Sequence, residues 1–309
     1  EERRSFPGGS LWQFRRGMYG LCNLPSSYST MVGFVTQGLS DIACTFIDDI
    51  LVFTKTWEQH VKALEMVFRR LALANITLSG KKAALGRKSV MYLGNTICAK
   101  GMIADAVKVR EIVNYPRPTS WAEVRSWLGK VSYLRLFWAN VARLLEPIFA
   151  AQRYTAEDKI KAAAERAAII KKGGRVGRFK KDFVWTKAME LAFLQTKQVC
   201  SRPPILAFPD LRLPLCLYTD ASLVAAGAIL IQWQRHEGEL RPHILGTYSA
   251  VFKVEAERNY HIAELETLAI VLALRRWRWE VECCPHTTIF CDNATCRTLF
   301  SKIHENKRI

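Results

Sequence analysis

Apolar positions follow two different rhythms along this chain, and the points where the rhythm changes divide it. Two short β-prone runs, Ala43 to Ile47 and Ile50 to Phe53, enclose the adjacent acids Asp48 and Asp49. Asp tolerates turn geometry and the flanks favour strand, so the pattern predicts a tight hairpin with carboxylates at its tip. Ahead of it, Leu11 to Phe14 reads as a short β segment. A helix follows Pro25, with Tyr28, Met31, Val32 and Val35 on one face. Behind the hairpin, Thr56-Trp57-Glu58-Gln59 has the spacing of a capping box and opens a helix whose apolar positions are Val61, Leu64, Phe68 and Leu71. Val90 to Leu93 and Thr96 to Cys98 alternate as strands around Gly94. A second capping box, Ser120 and Glu123, follows Pro116-Arg117-Pro118 and starts a helix bearing Trp121, Val124, Trp127, Leu128 and Val131. The helical pattern runs to about Pro147.

The period shifts again after Leu206. Leu215 to Thr219, Gly227 to Trp233 and His243 to Ser249 read as three strands in series, with a turn at Arg235 to Gly238. A helix over Ile262 to Trp279, a fourth strand over Thr287 to Cys291 and a short helix near Thr295 to Ser301 complete an α+β or mixed α/β sheet domain. Three acids fall at chemically useful places in this pattern: Asp220 and Asp292 at strand ends, and Glu266 on the helix. Alone, Glu266 reads as a solvated residue beside Glu264.

Charge changes the picture. Forty-five Lys and Arg against 28 Asp and Glu give a net charge of +17, which points to a polyanionic partner, nucleic acid first. Residues 151 to 181 are the most basic stretch, with ten Lys and Arg against three acids. Its first half, Glu157 to Lys172, is Ala-rich and helical. Its second, Gly173 to Arg178, reads as a basic loop that either contacts nucleic acid or is a solvated insertion. No apolar run reaches the roughly 20 residues needed to span a bilayer. Nine Cys without a Cys-x-x-Cys pair suggest reduced, mostly buried thiols in an intracellular compartment. The scattered six His argue against a zinc site. The chain opens on Glu1-Glu2-Arg3-Arg4, with neither Met nor signal peptide, which suggests an N-terminus internal to something longer.

Four blocks in order, Gly20-Leu21-Cys22-Asn23-Leu24-Pro25, Phe46-Ile47-Asp48-Asp49, Tyr92-Leu93-Gly94-Asn95 and Tyr115-Pro116-Arg117-Pro118, resemble the reverse transcriptase of gypsy-class long-terminal-repeat retrotransposons. Tyr218-Thr219-Asp220-Ala221-Ser222, Glu266-Thr267-Leu268-Ala269-Ile270 and Cys291-Asp292-Asn293 resemble the ribonuclease H domain that follows it. The resemblance implies a multidomain α+β and α/β chain in four parts. These are a partial fingers and palm over 1–103, a thumb-like helical region over 104–150, a basic insertion and connection over 151–205, and a C-terminally truncated ribonuclease H-like mixed sheet domain over 206–309.

It also implies roles. Asp48 and Asp49 would be palm metal ligands, and Asp220, Glu266 and Asp292 the catalytic metal ligands of the nuclease. Tyr19, Gly20 and Lys82 would line the nucleotide pocket, and Tyr92, Leu93 and Gly94 would grip the primer end. Arg175, Arg178, Lys180 and Lys181 are the nucleic-acid contacts suggested by charge. The cofactor implied is Mg2+ or Mn2+. The substrates are an RNA/DNA template–primer duplex and deoxynucleoside triphosphates, and protease and integrase segments would accompany the chain in the parent polyprotein. The implied setting is cytoplasmic, in the virus-like particle of the parent element, with the nucleus as the alternative. Both chemistries need several hard carboxylates converging on paired divalent ions.

The chain departs from that pattern at Phe46, where a Tyr is usual, and at Asn293, where His is common. The first palm block and the last nuclease block lie beyond residues 1 and 309, so the expectation is a fragment inactive as a polymerase in isolation. The alternative is a non-catalytic nucleic-acid-binding remnant.

The charge generates a test. If the chain neutralises about 5 phosphates, log K for duplex binding should fall against log salt with a slope near −4 to −5. Neutralising Arg175, Arg178, Lys180 and Lys181 should flatten it. A slope near zero in a fluorescence titration would contradict the charge-based reading.

Overall fold

In a computed structural model the described residues are 3–5, 11–13, 17–18, 20–171, 181–236, 238–252, 260–294 and 296. The chain divides into two compact units, Glu1–Leu93 and Gly94–Ile309.

In the first unit, strands β1 (Arg3–Ser5) and β2 (Leu11–Gln13) pair antiparallel. Helix α1 (Leu24–Val35) begins with Pro25 in its first turn, where a missing N–H costs nothing. Only Val32 of its apolar face is buried. The expected hairpin is present as β3 (Ala43–Phe46) and β4 (Asp49–Val52), with Phe46 opposite Asp49 and Ile47-Asp48 as the two-residue turn. Ile47 takes φ 54°, a region that favours glycine and costs a β-branched residue of order 1–3 kcal/mol. Helix α2 (Trp57–Leu73) carries both bonds of its capping box: Gln59 N–H donates to the Thr56 hydroxyl and Thr56 N–H to the Gln59 amide oxygen, each at 3.3 Å. Its buried stripe is Ala63, Val67 and Leu71, of which Val67 and Leu71 pack with Leu39 and Ala43; Val61 and Phe68 are exposed. Strand β5 (Ser89–Tyr92) ends this unit's regular structure.

The second unit starts with a hairpin, β6 (Asn95–Cys98) and β7 (Gly101–Ala104). Met102 of β7 exchanges backbone hydrogen bonds of 2.7 and 3.0 Å with Leu206. Gly101, at φ 130°, lies so close that a Cβ there would meet the Leu206 carbonyl oxygen at 2.2 Å. This clasp joins residues 94–103 to the connection that enters the large sheet. Helices α3 (Ala106–Val113), α4 (Trp121–Tyr133), α5 (Val141–Gln152) and α7 (Lys187–Cys200) build one core around Trp127, Phe137, Ile148, Met189 and Phe193. Burying each such side chain is worth about 1.5–3 kcal/mol. The second capping box is only half formed. Ser120 accepts from Glu123 N–H, but the Glu123 carboxylate reaches one residue further back and accepts from the N–H and hydroxyl of Thr119.

Helix α6 (Ala156–Lys171) buries none of its residues. Thr155 and Asp158 cap it reciprocally, and the Thr155 amide together with the Lys181 ammonium holds the Asp158 carboxyl at about 2.

The large sheet has the order β10-β9-β8-β11: β8 (Leu215–Ala221), β9 (Ala225–His236) and β10 (Glu239–Val251) form an antiparallel meander, and β11 (Thr287–Phe290) runs parallel to β8. The meander is longer than the hydrophobic alternation alone marks, because Gln234, Arg235 and His236 pair with Arg241, Leu240 and Glu239 and continue the β9–β10 ladder. A bulge between Ile244 and Gly246 brings Gly246 beneath the Trp277 indole, where a Cβ would stand 3.0 Å from Nε1. Helix α8 (Ile262–Arg276) lays Leu265, Ala269 and Ala273 against the sheet, and α9 (Arg278–Cys283) follows as a separate turn after Trp277. No helix among the described residues is long and apolar enough to cross a membrane.

The thiols differ from expectation. All nine Cys are free, but only Cys200, Cys284 and Cys296 are buried, while Cys22, Cys44 and Cys283 are exposed. Cys44 lies in a short hairpin with one open side, so an apolar strand run does not bury it.

Candidate active site

Side chains of β8 alternate strictly. Leu215, Leu217 and Thr219 point inward, the first two packing with Ala273 and Trp277, while Tyr218 and Asp220 face the other way. Phe290 is the Cα partner of Tyr218 on β11, and the two rings stack 4.5 Å apart at 8°. Asp220 and Asp292 each stand two residues beyond that pair, at the carboxyl ends of two adjacent parallel strands. Ligand sites of open α/β sheets gather at such ends.

Glu266 arrives from α8. The first turn of the helix separates the two glutamates that the sequence sets side by side. Glu264 is spent on the cap, accepting from His261 N–H at 2.9 Å, whereas Glu266 is only 3% exposed. Its Oε1 accepts from Ala221 N–H at 3.3 Å, and its Oε2 from the Cys291 thiol at 3.6 Å. Burial raises its pKa above the ordinary glutamate range, and the carboxylates of Asp292 and then Asp220 push in the same direction. Among the described residues no Lys or Arg forms an ion pair with it.

Glu266, Cys291 and Asp292 bring ligand atoms within 4.8 Å of one another. Asp220 lies outside that tight trio, though its charge is felt by Glu266. Burial also lifts the Cys291 thiol to about 11, with the Cys296 thiol and the Glu266 charge adding to the shift, so Cys291 stays protonated near neutrality and donates to Glu266. Reading the motifs for carboxylates passes over Cys291. The signal that marks it is a thiol immediately before the Asp that closes β11.

In the first unit Asp48 and Asp49 are both exposed at the hairpin. Tyr92 is half-buried beside them; its hydroxyl accepts from the Cys44 thiol at 3.7 Å, and burial, then Cys44, then the Asp49 charge raise its pKa. Leu93 and Gly94 both take positive φ, 47° and 74°. Gly20 has φ 93° and is exposed, as is Lys82, whose N–H donates to the Ser79 carbonyl. Tyr19, Arg175, Arg178 and Lys180 lie outside the described residues. The Lys181 ammonium pairs with Asp158 at 3.0 Å and also donates to the Arg153 carbonyl, at the start of α6.

Residues 8–97 match the family model for reverse transcriptase (RNA-dependent DNA polymerase), and residues 185–289 match that for the RNase H-like domain found in reverse transcriptase. The chain therefore carries a reverse-transcriptase segment followed by an RNase H-like domain. The first match contains Asp48 and Asp49; the second contains Asp220 and Glu266 and stops short of Asp292.

Among known proteins, the chain is similar to the retrovirus-related Pol polyprotein from transposon 297 of Drosophila melanogaster. The two are 29% identical over 268 residues, 86% of this chain and 22% of that protein. It is also similar to the transposon Tf2-3 polyprotein of Schizosaccharomyces pombe, at 28% identity over 85% of this chain and 18% of that protein. The chain thus spans about a fifth of the length of these relatives. In fold it resembles the foamy viral protease-reverse transcriptase solved with an RNA/DNA hybrid, at TM-score 0.69 and 20% identity, covering 96% of this chain and 36% of that one. The same viral protein solved with dsDNA gives TM-score 0.63 and 22% identity over 92% and 61%.

The raised pKa of Glu266 fixes the sign of a stability effect. A group whose folded pKa lies above its unfolded value contributes stability below the unfolded pKa, and loses it as pH rises through the folded one. Glu266→Gln should therefore raise the thermal midpoint at pH 7 in chelator and leave it unchanged at pH 4. Equal midpoints at pH 7, or a lower one for the variant, would contradict a buried charge that burial and its acidic neighbours disfavour.

Proposed function

We propose that this chain is part of the Pol polyprotein of a gypsy-class retrotransposon and that its RNase H-like domain cleaves the RNA strand of RNA–DNA hybrids. The observation that carries this reading is the burial of Glu266, which feels the charges of Asp292 and Asp220 and has no Lys or Arg ion-pair partner among the described residues. A desolvated carboxylate beside two like charges is costly unless a cation neutralises it. The donor set fits Mg2+ or Mn2+: hard carboxylate oxygens from three elements, two of them exposed to an approaching substrate. Asp220, Glu266 and Asp292 would hold the ions, which when bound supply charge to the attacking and leaving oxygens of a phosphodiester.

The chain's own residues do the rest. Ala221 N–H and the Cys291 thiol fix both oxygens of Glu266, so the carboxylate is aimed before substrate arrives. The net charge of +17 favours the polyphosphate backbone. In the first unit, Asp48 and Asp49 would hold the polymerase ions. Tyr19, Gly20 and Lys82 would face the deoxynucleoside triphosphate, and Tyr92, Leu93 and Gly94 the primer end. The position of Tyr92 beside Asp49 supports that grouping. The division of labour is a palm and thumb before the connection and a nuclease after it, within a cytoplasmic particle of the parent element.

The test is cleavage of an end-labelled RNA strand annealed to DNA, in Mg2+ and in chelator. Asp292→Asn and Asp220→Asn should each slow cleavage by about 100-fold or more, the scale on which loss of a preorganised electrostatic stabiliser acts. Cleavage that persists in chelator, or survives both substitutions, would overturn the assignment. Hybrid binding without cleavage would favour a non-catalytic remnant.

A further inference from the structure

The acidic site has one soft edge. Cys291 places a thiol among the carboxylates, its Sγ within 4.8 Å of ligand atoms of both Glu266 and Asp292. The three residues approach from two elements: Glu266 from α8, Cys291 and Asp292 from the end of β11. Glu266 is almost wholly buried, so it cannot swing out to solvent; Asp292 is exposed and free to adjust. One thiol and two carboxylates bound to a tetrahedral ion stand about 3.3–3.8 Å apart, given bonds of roughly 2.0–2.3 Å. The trio is within about an ångström of that arrangement, and rotation of the exposed Asp292 side chain closes the gap. Sulfur is a poor partner for Mg2+, which prefers oxygen, and a good one for Zn2+ and its congeners.

We propose that Glu266, Cys291 and Asp292 form a site for a thiophilic divalent cation of the Zn2+ class, with its fourth position open. On binding, the thiol proton passes to solvent and the sulfur becomes a thiolate ligand. The cation takes two of the carboxylates that the nuclease needs for its hard ions and turns Asp292 towards the thiolate. Zn2+ therefore inhibits hybrid cleavage in competition with Mg2+, a consequence that rests on the function proposed above.

Cobalt(II) is the probe, because a thiolate bound to it gives a sulfur-to-metal charge-transfer band in the near ultraviolet. Titration of the full chain with Co2+ should produce that band at one equivalent, and Zn2+ should abolish it. Cys291→Ser should remove the band, and Asp292→Asn, at an exposed position that leaves the core alone, should weaken Co2+ binding about tenfold or more. Circular dichroism of the same samples reports folding. No band in the wild type, or an equal band in Cys291→Ser arising from other thiols, would overturn the proposal. Wild-type cleavage in Mg2+ is read separately. A band without cleavage supports this site and counts against the nuclease, whereas cleavage without a band does the reverse.

Discussion

A carboxylate that is 3% exposed and lies beside two other acids is the feature around which the second unit is arranged. Leaving Glu266 ionised there sets desolvation and like-charge repulsion against the packing of α8. The packing wins because the helix is anchored on both sides of the acid. Leu265 and Ala269 sit in one apolar cluster with Ala226 and Phe252; Ala273 and Trp277 sit in another with Leu215, Leu217 and Leu230. The carboxylate itself receives an amide from β8 and a thiol from the end of β11. The charge is therefore held where the fold alone would not choose to place it, as expected for a group whose partner is a cation outside the protein chain.

The two acidic sites solve different problems. Asp48 on the two-residue turn and Asp49 at the start of β4 are exposed, and their geometry comes from the hairpin. The strain is carried by the backbone of Ile47, at φ 54° in a position that glycine would occupy freely. Around Glu266 the backbone is ordinary and the strain is electrostatic. Each site stores its cost at the residue nearest the acids.

Much of this was legible in the sequence, for identifiable reasons. The Ala43–Val52 hairpin, the α2 cap and the three-strand meander rest on local rules: turn-tolerant Asp, a Thr and Gln at capping spacing, and alternation with period two. Which face of α2 is buried was only partly legible: Leu71 is buried as its period suggests, but Val61, Leu64 and Phe68 keep the helical period as well as Ala63 and Val67 do. Contact with Leu39 and Ala43 selects the side of the helix that carries Val67 and Leu71. The partition of Glu264 and Glu266 was also hidden. It depends on a helix start at His261, and that cap is made by a residue type seldom read as one. The motif blocks placed the acids, yet the Cys291–Glu266 contact joins residues 25 positions apart and follows from β11 running parallel to β8, a tertiary fact. The basic stretch shows the limit of charge counting. Lys181 contributes to the net charge, but its pairing with Asp158 is invisible to a count.

The central claim is that the Glu266 charge, which no Lys or Arg among the described residues neutralises, is neutralised by a divalent cation. Carbon-13 labelling of the glutamate carboxyls, with Glu266→Gln to assign the resonance, measures that directly. In chelator the Glu266 carboxyl should titrate above the normal glutamate range; in saturating Mg2+ its midpoint should fall below it, because the cation stabilises the anion. An ordinary midpoint in chelator, or one unmoved by Mg2+, would contradict the account.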